Sequence, residues 1–221
     1  MNLVEKYDID GINLDFENMY EADKDCYTKL IIELAPRLRE YGKVFSVDVT
    51  APDGGTNWSE CYNRNKIGKV ADYVMFMAYD QYGNSDKKAG TTAGADWVEA
   101  NIKKFVEREE VPAEKLILGM PFYMRIWEEK SNGDVDKKII TMKYIDNNIP
   151  QGVTKTWKEE EKQNYIEYTK GTSTFKMWIE DEDSIKAKFD LIHKYNLGGA
   201  AYWQKDFEPS SLWDLIEKET K

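Results

Sequence analysis

The side chains with the greatest chemical capacity crowd into one short stretch, DGINLDFEN, residues 10–18. In a strand, successive side chains alternate between faces, so Asn13, Asp15 and Glu17 share one side while Ile12, Leu14 and Phe16 share the other. Two carboxyls and an amide in one row can hold, give or take a proton. Solvation of an antiparallel surface strand would also account for such a row. The rest of the chain favours another setting: short β-branched runs are separated by helical patterns, which predicts a parallel sheet covered by helices. In a closed parallel barrel the outward face is apolar and helix-facing. The polar row then points inward, at the strand end where such folds keep their chemistry.

Composition narrows that chemistry. The 221 residues suffice for one sizeable domain, and 41% hydrophobic content is ordinary for a packed core. Forty-one acidic against 31 basic residues give a net charge of −10, which disfavours nucleic acid or an anionic membrane as a partner. No apolar run approaches the roughly 20 residues of a membrane helix, and the first six residues show no signal-peptide core. Cys26 and Cys61 are too few for a disulfide framework or a zinc cluster and are expected as free thiols. His193, the single histidine, is expected at the surface near a helix end. Sites that need two histidines are excluded, so acid–base work falls to carboxylates, with no metal and no organic cofactor called for.

The elements that would position the row follow in sequence. DKDCYTKLIIELAPRLREYG spaces Tyr27, Leu30, Ile31, Leu34 and Leu38 as one helical face and stops at Gly42. KVFSVDVTAP is a strand, and DGGTNWSECYN, residues 53–63, is the loop at its end. A short helix around Ile67, the strand DYVMFMAYD and the helix DWVEANIKKFVERE come next. PAEKLILGMPFYMRIW is expected as one strand with Pro121 as an end marker. An insertion over 128–182 contains a helical piece near Met142 and a hairpin turning at Gly171. The helix DEDSIKAKFDLIHKYN, the strand LGGAAYW and the helix PSSLWDLIEKE close the chain. About five parallel strands result, whereas a closed (β/α)8 TIM barrel needs eight.

Asp10, Gly11, Asn13, Asp15 and Glu17 closely match the signature of glycoside hydrolase family 18, which reads Asp-Gly, any, Asp, any, Asp, any, Glu. MAYD, GMPFYMRIW and GGAAYW resemble the family's sixth, seventh and eighth strands, in order. Asn13, NWSECYN, KMWIEDEDS and the compact insertion are more similar to the bacterial spore and cell-wall branch, which includes cortical-fragment-lytic N-acetylglucosaminidases. The resemblance places the signature on the fourth barrel strand. It therefore implies an α/β fold of TIM-barrel type represented by strands four to eight, one partial catalytic domain over 1–221, completed by the missing N-terminal strands or a second copy.

The resemblance also implies a function: retaining hydrolysis of a glycan containing β-linked N-acetylglucosamine, with the substrate's own acetamido group as nucleophile. Glu17 would be the general acid and then base, and Asp15 would hold the acetamido N–H. A charged Asp15 two residues away would keep Glu17 protonated. Asn13 departs from the family's aspartate, and its amide is expected to donate to Asp15. Tyr79 would donate to the acetamido oxygen with Asp80 shaping the pocket, although Tyr-Asp at a strand end is common. Trp203 would floor the site or belong to the core, Arg125 would contact sugar hydroxyls or be a surface charge, and Met77 would line the site or simply pack. The implied location is extracellular, at the cell wall or spore. A lectin-like sugar binder or a structural module of the same fold is the alternative, and Glu17 favours the enzyme.

Overall fold

The computed structural model describes residues 2–52, 55–56 and 58–220. Asp53, Gly54 and Asn57 of the loop expected over 53–63 lie outside the described residues. In chain order the elements are α1 (Asn2–Tyr7), β1 (Gly11–Leu14), α2 (Lys24–Glu40), β2 (Val44–Val49), α3 (Arg64–Val70), β3 (Tyr73–Met77), α4 (Ala95–Lys103) and β4 (Leu116–Pro121). Then come β5 (Tyr123–Glu129), β6 (Val135–Thr141), β7 (Thr156–Lys158), β8 (Gln163–Lys170), β9 (Ser173–Ile179), α5 (Glu182–Tyr195), β10 (Gly199–Trp203) and α6 (Leu212–Glu219). This is an α/β fold. Its open five-stranded sheet has the order β1-β2-β3-β4-β10, and each member falls within one of the five strands expected from the sequence. The others form a second sheet, β6-β5-β9-β8-β7.

Contacts group the chain into two compact units. One comprises Met1–Met77, Asn101–Leu118 and Lys194–Ala201; the other comprises Ala78–Ala100, Gly119–His193 and Tyr202–Lys221.

In the first unit β1 pairs parallel with β2, and β2 with β3. Phe45, Val47 and Val49 are buried on one face of β2, leaving Ser46 and Asp48 on the other, as a period of two requires. Gly11 lets β1 approach β2 closely: a Cβ there would lie 2.2 Å from the Val44 carbonyl oxygen. Helix α2 buries Tyr27, Ile31, Ala35 and Leu38, whereas Leu30 is exposed. The buried stripe is thus shifted from the expected one, with the small Ala35 taking the place expected for Leu34. The helix ends at Gly42 in the left-handed region, φ 65°, as expected, with its N–H on the Arg39 carbonyl.

The run expected as one strand over 112–127 departs from expectation. Leu116–Pro121 belongs to the first sheet and Tyr123–Glu129 to the second. Pro121 has no N–H for a ladder, and Phe122 between the strands donates to the Trp203 carbonyl while accepting from the Met142 N–H. Unbroken hydrophobicity hid the change of sheet. The hairpin β8–β9 turns as expected at Gly171, φ 63°, with Lys170 opposite Ser173. Beneath it lies a buried polar network. Glu180 accepts from Gln163 Nε2 at 2.7 Å, Ser184 Oγ at 2.7 Å and Lys188 Nζ at 2.8 Å, and Thr91 Oγ1 donates to Gln163.

Candidate active site

Two clusters, one in each unit, contain the residues singled out by the sequence. In the first, the β1–β2 register sets Asn13 beside Ser46 and Leu14 beside Val47. Ser46 Oγ donates to Asn13 Oδ1 at 2.7 Å, which leaves the Asn13 amide hydrogens for another acceptor. The Asn13 side chain acts on the carboxyl of Asp48, opposing the rise of its pKa. Asn13, Asp15 and Glu17 are all exposed, while Asp48 is half-buried. Burial, offset by the Asn13 hydrogen bond and reinforced by the charges of Asp15 and Glu17, raises the Asp48 pKa from 3.8 to about 6.

The segment carrying Asp15 and Glu17 is fixed from behind. The Phe16 ring stacks on Tyr27 of α2 at 5.6 Å, and Tyr62 meets Tyr27 edge-on at 6.0 Å. Tyr62 Oη donates to the Phe16 carbonyl at 2.8 Å. Arg64 holds the loop after β2 by donating to the carbonyls of Thr50, Ala51 and Ser59 at 2.9, 3.0 and 3.1 Å. Burial lowers its pKa to about 10. The Tyr27 hydroxyl is buried with no hydrogen-bond partner among the described residues, and burial first, then Asp48 and Asp15, pushes its pKa up.

In the second cluster Asp80, a non-glycine residue at φ 58°, is gripped by two donors on one face of β5. Tyr123 Oη reaches Asp80 Oδ1 at 2.6 Å and Arg125 Nη1 reaches the same oxygen at 2.8 Å. Arg125 Nε donates to Asn84 Oδ1 at 3.3 Å, and its guanidinium lies 5.6 Å from the Tyr123 ring centre. Arg125 is only 3% exposed, so it is not a surface charge. Tyr79 is half-buried and packs edge-on to Tyr123 at 6.2 Å. Trp203, 49% exposed at the end of β10, is not core. Met77 ends β3 half-buried, within the first unit.

Residues 1–208 match the model of Glycosyl hydrolases family 18. The chain belongs to this family. Among curated proteins it is 26% identical to the "Uncharacterized glycosylase YvbX" of Bacillus subtilis, over all of this chain and 64% of that protein. It is 23% identical to the "Cortical fragment-lytic enzyme" of the same species, over 96% of this chain and 50% of the relative. Solved structures share its fold: a chitinase from Chromobacterium violaceum superposes with a TM-score of 0.87 at 24% identity, over 99% of this chain and 68% of that one. The spore cortex-lytic enzyme SleL of Bacillus megaterium gives 0.83 at 25%, over the whole of this chain and 51% of that one. The chain thus spans roughly half to two thirds of the length of these relatives.

Among the described residues no group of three or more His, Cys, Asp or Glu is placed to hold a metal ion, and no helix is long and apolar enough to cross a membrane. His193 is exposed and lies 3.6 Å from Glu219. Sequence reasoning missed Asp48. The alternation of Ser46 and Asp48 with Val47 and Val49 carried the same period-two signal as the neighbouring strand and could have found it.

Proposed function

We propose that this chain is the acid/base-bearing part of a retaining glycosidase that cleaves β-linked N-acetylglucosamine glycans of the peptidoglycan, spore-cortex or chitin type. The observation that carries the reading is the row Asn13, Asp15, Glu17 at the C-terminal end of a parallel strand in a family 18 fold. Similarity to cortex-lytic and sporulation glycosylases supports action on wall glycans outside the cell, at the wall or spore, in that branch of the family.

In the first step the substrate's acetamido oxygen bonds to the anomeric carbon as the glycosidic bond breaks, and the Glu17 proton passes to the leaving oxygen. An oxazolinium results, and Asp15 holds its N–H and balances its positive charge. In the second step water adds at the anomeric carbon, giving its proton to Glu17 and reopening the ring with retention. Within the first unit Asn13 and Met77 are the further proposed substrate contacts; within the second, Tyr79 is the proposed donor to an acetamido oxygen and Asp80, Arg125 and Trp203 the proposed sugar contacts. Arg125 and Tyr123 hold Asp80 in its left-handed conformation, so Arg125 acts through Asp80 as well as on sugar. The whole chain works as one catalytic domain with the insertion as its accessory part. The complete form is an eight-stranded barrel in which further strands, from more chain or a second copy, pair with β1 and β10, the end strands of the sheet.

The test is Glu17→Gln, assayed on N-acetylglucosamine oligomers and on purified peptidoglycan. Binding is expected to persist while kcat falls about 10²- to 10⁴-fold. Turnover within a few-fold of the parent refutes the assignment.

A further inference from the structure

Asp48 has no role in the steps above, yet it stands beside the residue that matters most to them. Strands β1 and β2 run parallel with Asn13 against Ser46 and Leu14 against Val47; the same register carried one residue past the end of β1 places Asp15 opposite Asp48, and the charge of Asp15 acts on the Asp48 carboxyl. Both side chains lie on the face shared by Asn13 and Ser46, which are joined by a 2.7 Å hydrogen bond. Neighbouring strands are spaced about 4.8 Å apart, within reach of two short carboxyl groups. Like charges at that separation in a half-buried setting cannot both persist cheaply, and one proton between them removes the conflict.

The partners of Asp48 reinforce this. Its Oδ1 is buried with no hydrogen-bond partner among the described residues, and the Asn13 side chain, which accepts from Ser46, acts on its carboxyl. The ionisable groups that act on it are Asp15 and Glu17, on and just beyond β1. Tyr27 of α2 also interacts electrostatically with Asp48. From β3 the register brings Met75, which does not titrate. Both charges acting on it are therefore negative, and burial adds to them.

We propose that Asp48 is a positioning residue that shares a single proton with Asp15 across the β1–β2 pair, serving from the second strand as the acid partner that the amide of Asn13 cannot be. The exchange is a proton transfer only: Asp48 carries the proton while Asp15 is ionised toward the sugar, and no other bond forms or breaks. Asn13 and Ser46 keep the Asp48 carboxyl facing β1. This role rests on the proposed hydrolase reading for its catalytic meaning, but the shared proton is a property of the protein itself.

The experiment has two arms. In the first, carboxyl carbons of labelled aspartates are followed by NMR against pH in the parent, Asp48→Asn, Asp15→Asn and Ser46→Ala proteins. The parent should show one aspartate with a midpoint near 6. That resonance should vanish in Asp48→Asn, and in Asp15→Asn its midpoint should fall, with burial still holding it above the ordinary value of about 4. An Asp48 midpoint below about 4.5 in the parent, or one indifferent to Asp15→Asn, overturns the proposal. This arm needs no turnover, so it stands or fails apart from the hydrolase reading. In the second arm the pH profile of kcat is compared for the parent, Asp48→Asn and the exchange Asn13→Asp with Asp48→Asn. The single variant should move the profile and lower kcat more than it changes KM. The exchange, which returns one acid and one amide to the two strands, should recover at least half the loss. A profile unmoved by Asp48→Asn, or a loss the exchange does not recover, makes Asp48 merely structural and refutes the assignment.

Discussion

Replacing Lys188 by Met should expose how strongly the second unit depends on one buried charge pair. Lys188 Nζ lies 2.8 Å from Glu180 Oε2, with side-chain exposures of 1% and 0%. At that distance the attraction is about 6 kcal/mol with an effective dielectric of 20, and burying each ion costs several kcal/mol, so the intact pair adds little net stability. Removing only the cation is different, because Glu180 then keeps its burial cost and loses its main compensation. Burial already raises the Glu180 pKa, and Lys188 is the first of the groups that oppose that rise. The expected loss is about 3–5 kcal/mol, a sizeable share of the 5–15 kcal/mol typical of a folded protein. For a chain of this size it corresponds to a Tm lower by roughly 6–20 °C. The sign of the pH effect follows from linkage. A carboxyl whose folded pKa is raised contributes stability at low pH that is lost as pH rises through that value, so the deficit against the parent should widen from about pH 5 to pH 8. Adding Glu180→Gln removes the charge but leaves partners for Gln163 and Ser184, and should restore all but about 1 kcal/mol. Urea and thermal unfolding at the two pH values provide the measurement. A loss under about 1 kcal/mol, or one that is flat with pH, refutes this account of the pair.

Three further outcomes are expected. Gly11→Ala drives a Cβ to 2.2 Å from the Val44 carbonyl oxygen and should cost about 1–3 kcal/mol by overpacking, with loss of amide protection along β1 in hydrogen exchange; unchanged protection would contradict the close approach. Asp48→Asn removes a carboxyl raised from 3.8 to about 6, a span worth roughly 3 kcal/mol and about half that after solvent screening of a partly exposed group. Since Asp48 contributes stability below pH 4 that is lost as pH rises through 6, the variant should melt higher than the parent at about pH 8 and no higher at about pH 4. Arg125→Lys retains the charge but cannot keep both the Asp80 and Asn84 contacts, so a loss of about 1–2 kcal/mol in thermal melts is expected, and an equal Tm would show that the fork is dispensable.

Much of this architecture was legible because periodicity was strong. The alternation in residues 11–17 gave β1 and its polar row, the apolar spacing of Tyr27, Ile31 and Leu38 gave α2, and Gly42 and Gly171 marked turns that only a positive φ closes. Where the sequence misled, a local signal was ambiguous. Leu116–Trp127 is almost continuously apolar, and hydrophobicity cannot tell one long strand from two strands in different sheets. The bond from Ser46 to Asn13 was not foreseen because side-chain hydrogen bonds between strands depend on register, which a single strand does not contain. Arg125 was ambiguous for a related reason: its burial depends on Asp80 and Asn84, more than 40 positions away. The row at β1 was visible; the second strand's contribution to it needed the fold.

The way Arg64 and Tyr62 fasten their surroundings bears on which positions are open to change. Their main acceptors are the backbone carbonyls of Thr50, Ala51, Ser59 and Phe16. A carbonyl is supplied by every residue type, so the loop after β2 can change its exposed side chains without losing an acceptor. The donors have no such freedom, since few side chains other than arginine can reach several carbonyls at once. The fastening therefore leaves the loop variable in sequence but constrained in shape. In a saturation library over residues 50–64, tolerance should be broad at exposed Gly55, Thr56 and Trp58 and should collapse at Tyr62 and Arg64. Exposed positions of this loop could thus be substituted while the Tyr62 hydrogen bond still holds the backbone at Phe16.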